Sequence, residues 1–132
     1  MKKIVLAVIV GAAVLFGGCK KMISTEYTIG CLGYQINPLH GSDWDEVQTY
    51  FSSHAKYNKR VTLESTSLAE NDAKAKELLD EQLKLIDTEY VCSLIHGEDY
   101  FDYGIATINA GGDYRYIKVV RFKEYGTYEV TY

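Results

Sequence analysis

Few residues in this 132-residue chain are of a type and spacing that could do chemistry. The histidines are His40, His54 and His96. Imidazole serves acid–base work near neutrality and ligates zinc-class metals, but no HExxH or other recognisable metal spacing links these three. His40 precedes a turn, His54 ends a predicted helix where a cation is favoured, and His96 sits in a connection, so structural or solvated roles are expected. The acids cluster as Asp43, Asp45 and Glu46, and again as Glu98, Asp99 and Asp102. Neither cluster alternates acids around a central glycine as a calcium loop does. The first reads as a helix start and the second as a hydrated hairpin tip. Ser42, Ser52, Ser53, Ser65, Ser67 and Ser93 stand in no GxSxG or SxxK context. The sequence thus nominates no catalytic, cofactor-binding or metal-binding residue and implies no cofactor.

Cys19 belongs to a different pattern. The chain opens Met1-Lys2-Lys3 and carries no acid until Glu26. Ile4 to Phe16, IVLAVIVGAAVLF, is apolar apart from Gly11 and is 13 residues long, whereas a membrane-spanning helix needs about 20. A basic start, a short apolar run and small residues before a cut are the parts of an export signal.

Leu15-Phe16-Gly17-Gly18-Cys19 resembles the lipobox of bacterial lipoprotein precursors: a hydrophobic residue, two small ones, then cysteine. The resemblance covers about the first 20 residues. It implies cleavage before Cys19, diacylation of the Cys19 thiol and often acylation of the new amine. Residues 1–18 are then a signal peptide, 19–26 a lipidated N-terminus with a short linker, and 27–132 a single domain. The expected address is the bacterial cell envelope, with the bilayer as partner through acylated Cys19. Lys20, where inner-membrane lipoproteins of Gram-negative cells carry Asp, points to the outer membrane. Two or three acyl chains, at about 0.8 kcal/mol per buried methylene, hold a protein durably. Lys20 and Lys21 would add on the order of 1 kcal/mol each near anionic headgroups.

Export would place Cys31 and Cys92 where disulfides persist, and a bridge between them is expected; two buried free thiols are the alternative. Such a bridge closes a loop of about 60 residues and stabilises by roughly 4 kcal/mol on the chain-entropy view. No CxxC spacing supports a thioredoxin-like redox role.

The chain has 14 basic and 18 acidic residues. Loss of Lys2 and Lys3 with the signal takes the balance from −4 to −6. That excludes sequence-independent nucleic-acid binding, which needs a basic face. Twelve tyrosines and one proline suit a sheet with one wet face, and suit a recognition surface as well.

The elements that must position these residues follow from periodicity. TEYTIGCLGYQIN (25–37) reads as a strand, weakened at Gly30 and Gly33. SDWDEVQTYFSSHA (42–55) reads as a short amphipathic helix, with Ser42 before Asp45 and Asp43 before Glu46 in capping arrangements. Residues 61–66 alternate as a half-buried strand. Ser67 and Glu70 open a longer helix from Leu68 to about Asp87, with Leu68, Ala75, Leu79 and Ile86 on one stripe, and Glu70–Lys74 and Asp80–Lys84 as exposed pairs. TEYVCSLI (88–95), YFDYGIATIN (100–109), YRYIKVVRFK (114–123) and TYEVTY (127–132) read as strands. Gly111-Gly112 as a two-residue hairpin loop sets Phe101 opposite Phe122, Asp102 opposite Arg121, Tyr103 opposite Val120 and Ala106 opposite Ile117. The face bearing Phe101, Tyr103, Ile105, Val120 and Phe122 is expected to pack on the helices. The order β-α-β-α-β-β-β(-β) makes this α+β: two helices on a mostly antiparallel sheet.

The functional expectation is a membrane-tethered envelope lipoprotein with a non-enzymatic binding or adaptor role, taking an unidentified protein, peptide or glycan. The tether reaches roughly 23 Å from Cys19 to Tyr27, and Tyr128, Val130 and Tyr132 on the last strand could supply a binding edge. Alternatives are an acidic inhibitor or exclusion factor, and a small hydrolase or metal-dependent enzyme using the histidines.

Overall fold

The computed structural model of the protein describes residues 21–109 and 111–132; Cys19 and the signal lie outside them. The expected α+β class is the observed one. Five strands form one antiparallel sheet: β1 (Ile23–Gln35), β2 (Lys59–Ser65), β3 (Tyr100–Ile108), β4 (Tyr114–Lys123) and β5 (Gly126–Val130), in the spatial order β2-β1-β3-β4-β5. A 3-10 turn (Pro38–His40) and the helices α1 (Gly41–His54), α2 (Leu68–Leu83) and α3 (Thr88–Ser93) complete the described chain. No helix among the described residues is long and apolar enough to cross a membrane.

The core lies between the helices and one face of the sheet. Phe51 of α1 packs its ring 4.8 Å from Phe101, 4.7 Å from Tyr103 and 5.5 Å from Phe122, centroid to centroid. Ala75, Leu78 and Leu79 of α2 and Val91 of α3 are buried with them. The expected inward face of β3 and β4 is therefore the packed one, with Val120 half-buried at its margin. Its one cation, Lys118, reaches Asp80 on α2 at 2.9 Å. Polar ties fix α2 as well. The Tyr27 hydroxyl donates to Asp72 at 2.7 Å, and Arg115 clamps the same carboxylate at 2.8 and 3.1 Å. That guanidinium holds the Asp72 carboxyl below its usual range. Asn71, fully buried, donates to the Ile23 carbonyl and the Thr25 hydroxyl. This tie draws the sheet back to Ile23, so the linker expected to run to residue 26 ends before β1 begins.

The register is the expected one near the core and shifts beyond it. Phe101↔Phe122, Asp102↔Arg121 and Tyr103↔Val120 face each other. Past Ile105 a bulge moves the pairing, so Ala106 faces Tyr116 and not Ile117. The cause is the turn. Asn109 accepts from the backbone amides of Gly111 and Asp113 and closes a longer loop than Gly111-Gly112 alone. The bulge absorbs the extra residue.

Residues 88–95, read as a strand, form α3. Asp87 accepts from the Tyr90 amide at 3.2 Å as a helix cap, and Val91, Cys92 and Ile95 go into the core at helical spacing. Because Asp87 starts α3, α2 ends at Leu83, short of Asp87. Ser67 caps α2 as expected, accepting from the Glu70 amide at 3.1 Å. The capping arrangements at Ser42 and Asp43 are absent: α1 begins at Gly41 with no side-chain cap. Leu68 leaves the expected stripe and is exposed. Lys74 bonds the Glu64 carbonyl, and Asp80 pairs with Lys118; both partners lie on the sheet, not on α2.

Candidate functional site

Where β1 outruns β2, the sheet opens. Their pairing stops at Ile29↔Lys59, leaving Cys31 to Gln35 unpaired on that side. Asn58 closes the gap. It adopts φ 52°, a left-handed conformation that asparagine tolerates better than most residues, and its Oδ1 accepts from the Cys31 amide at 3.1 Å. Gly30 makes room, since a Cβ there would collide with the Asn58 backbone. Leu32 is the extra residue of a bulge between Cys31 and Gly33. Such bulges bend a strand and re-aim its side chains.

The result is an open groove of about 420 Å³, lined by β1 residues 31–34 and by Trp44, Gln48, Tyr57 and Asn58. Its apolar wall is aromatic. Tyr34 lies 4.7 Å from Trp44, and Trp44 packs edge-on against Phe101 at 5.4 Å. Its polar groups are neutral: the Gln48 and Asn58 amides, the Tyr57 hydroxyl and the Cys31 thiol. Tyr57 donates to Gln48 Oε1 at 3.2 Å. Burial pushes the Cys31 thiol up to about 11 and raises the Tyr57 hydroxyl too. Both stay protonated at neutral pH, so the groove holds no thiolate nucleophile.

Cys31 and Cys92, the pair expected to bridge, are both free. Cys31 Sγ donates to the Gly33 carbonyl at 3.5 Å. Cys92 belongs to a helix and not to a strand; its thiol sits by the Lys123 and Gly126 backbone amides, and burial raises it. Each sulfur therefore has its own partner.

The first acid cluster is a helix start as expected, with Asp43 in the first turn of α1, and the second departs from expectation. Asp99 and Asp102 are no hydrated tip: they are 4% and 0% exposed. Asp102 lies under Arg121 and accepts from the Tyr132 hydroxyl. Asp99 accepts from the Asn37 amide at 2.9 Å and binds His40 Nδ1 at 2.7 Å. Asp43 binds His96 Nε2 at 2.7 Å. His40 and His96 are thereby brought together, ring centroids 4.9 Å apart. His54 does not join them; it stacks on Tyr50 at 4.2 Å and bonds its carbonyl. Among the described residues no three His, Cys, Asp or Glu side chains are placed to hold one metal ion.

On the far face of the sheet Tyr132 stacks on Tyr116 at 4.2 Å and stays exposed. β5 is an edge strand, as the binding-edge expectation requires, with Tyr128 exposed. The groove residues Tyr34, Trp44, Gln48, Tyr57 and Asn58 were not singled out in the sequence. The available signals were a lone tryptophan in an otherwise acidic helix start and two glycines interrupting β1. No family model, curated protein or solved structure matches the chain.

Proposed function

We propose that this is a lipid-anchored binding protein of the bacterial envelope, held by acylated Cys19, whose groove takes a neutral glycan. The observation that carries the reading is the groove's composition. Tyr34 and Trp44 offer apolar ring faces, Gln48, Asn58 and Tyr57 offer neutral donors and acceptors, and no charged side chain lines it. Pyranose rings present apolar C–H faces and uncharged hydroxyls, which match that set. A few polar groups on an aromatic wall are the usual make-up of a small-ligand cleft.

The lipobox-like Leu15-Phe16-Gly17-Gly18-Cys19 supports the anchor. β1 starts at Ile23, four residues beyond Cys19, and Tyr34 lies eleven residues further along. At about 3.3 Å per strand residue Tyr34 sits roughly 35 Å from the start of β1, at the far end of that strand. The outer edge of β5 favours a second reading, a protein partner added as a sixth strand.

Trp44 is the only tryptophan, so intrinsic fluorescence reports on the groove directly. Titration with N-acetylglucosamine oligomers should give a saturable change, weakened at least tenfold by Tyr34→Ala or Gln48→Ala. A flat titration up to millimolar sugar overturns the glycan reading.

A further inference from the structure

Among the described residues, His40 and His96 form a second constellation that shares no side chain with the groove lining. His40 ends the 3-10 turn, whose cap Asn37 accepts from the Leu39 amide. His96 lies in the connection between α3 and β3. Each ring has one nitrogen held by a carboxylate at 2.7 Å: Nδ1 of His40 by Asp99, and Nε2 of His96 by Asp43. A neutral imidazole has one N–H, and a carboxylate only accepts, so that nitrogen carries the proton. In the neutral rings the lone pair is then on Nε2 of His40 and on Nδ1 of His96, neither of which has a hydrogen-bond partner among the described residues.

We propose that these two nitrogens bind one imidazole-preferring divalent ion of the zinc or copper class, with water completing its shell. Metal-bound histidines nearly always give their other N–H to a carboxylate or carbonyl, which fixes the tautomer and strengthens the ligand. Here both carboxylates are in place, Asp99 on His40 and Asp43 on His96. The spacing fits as well. With metal–nitrogen bonds of about 2.0–2.1 Å, two imidazoles on one tetrahedral ion have centroids about 5 Å apart; these lie at 4.9 Å, inclined at 58°. The support is rigid on one side, because Asp99 is buried and anchored by the Asn37 amide. It is reachable on the other, because the side chains of His40 and His96 are 31% and 38% exposed. Imidazole donors select zinc, copper and nickel over calcium and magnesium.

The test is calorimetric titration of the full chain in detergent with Zn²⁺ and with Cu²⁺, beside His40→Gln, His96→Gln and His54→Gln variants. One ion per chain is expected, lost in the first two variants and kept in the third. Asp99→Asn and Asp43→Asn should each weaken binding about 10–100-fold. Should the variants misfold, the ring ¹H–¹⁵N signals of the unaltered chain decide: zinc must shift His40 and His96 and leave His54 in place. Absence of uptake, or uptake unchanged in His40→Gln and His96→Gln, overturns the site and leaves the two His–Asp pairs as braces between the 3-10 turn and the β3 approach.

Discussion

Arg121 covers Asp102 across the β3–β4 ladder, donating from Nε at 2.8 Å and from an NH2 nitrogen at 2.9 Å to a carboxylate with no solvent exposure. The guanidinium also lies 3.7 Å over the Tyr100 ring. The cost of burying this charge is offset only while its partner is present. Arg121→Met should therefore destabilise the fold by about 3–5 kcal/mol, read by urea unfolding. Asp102→Leu combined with Arg121→Met should recover most of that loss. A single variant as stable as the parent would show that the pair is incidental.

The same pair shows why part of the fold was legible. Opposite charges and two phenylalanines coincide on one register, and the residues that set it lie close together in the chain. α2 was legible for a similar reason, through Ser67 and an apolar stripe. The 88–95 segment was not. Tyr90, Val91, Cys92, Leu94 and Ile95 are good strand residues, and six residues are too few to fix a helical period. Burial of Val91, Cys92 and Ile95 together, with Asp87 as cap, decides for helix. The groove and the histidine pair were hidden for another reason. Trp44 meets Tyr34, and Asp43 meets His96, only because the chain after β1 turns back on the 3-10 turn while β3 comes to lie beside β1. Such juxtapositions depend on topology and leave no mark on local spacing.

Alkali should loosen the clamp between β1 and α2. Burial and the neighbouring Asp72 carboxylate push the Tyr27 hydroxyl up to about 12, from an ordinary value near 10. The folded state thus keeps a proton that the unfolded chain releases sooner. Its contribution is fully present below pH 10 and is lost as pH rises through about 12. Stability measured by denaturant midpoint should fall over that window, and fall less steeply in Tyr27→Phe. Equal slopes for the two proteins would remove Tyr27 from the account.

The two thiols should behave as separate, protonated groups. With Cys31 pushed up to about 11, its reaction with iodoacetamide in the native state is expected to be slow at pH 7.5 and to climb with pH toward that value. A non-reducing peptide map should recover Cys31 and Cys92 as unlinked peptides. A cross-linked pair would show that envelope oxidation overrides the resting places seen for these sulfurs.

The proposed anchor at Cys19 can be weighed directly. If Cys19 bears two or three acyl chains, intact mass of the natively expressed chain should show residues 1–18 gone and lipid added, and the protein should partition into detergent. Cys19→Ser should keep its signal and show no lipid mass, since the modified thiol is what the processing acts upon. β1 begins four residues later, a span of roughly 13 Å at full extension, so on the proposed anchoring the Ile23 end of β1 would be the end held near the bilayer. Trp44 stands by the opposite end of that strand. Quenchers carried on lipid tails should therefore leave its fluorescence unchanged in the anchored protein, while a water-borne quencher reduces it. Strong quenching from within the membrane would mean that the groove faces lipid, and the glycan reading would fall with it.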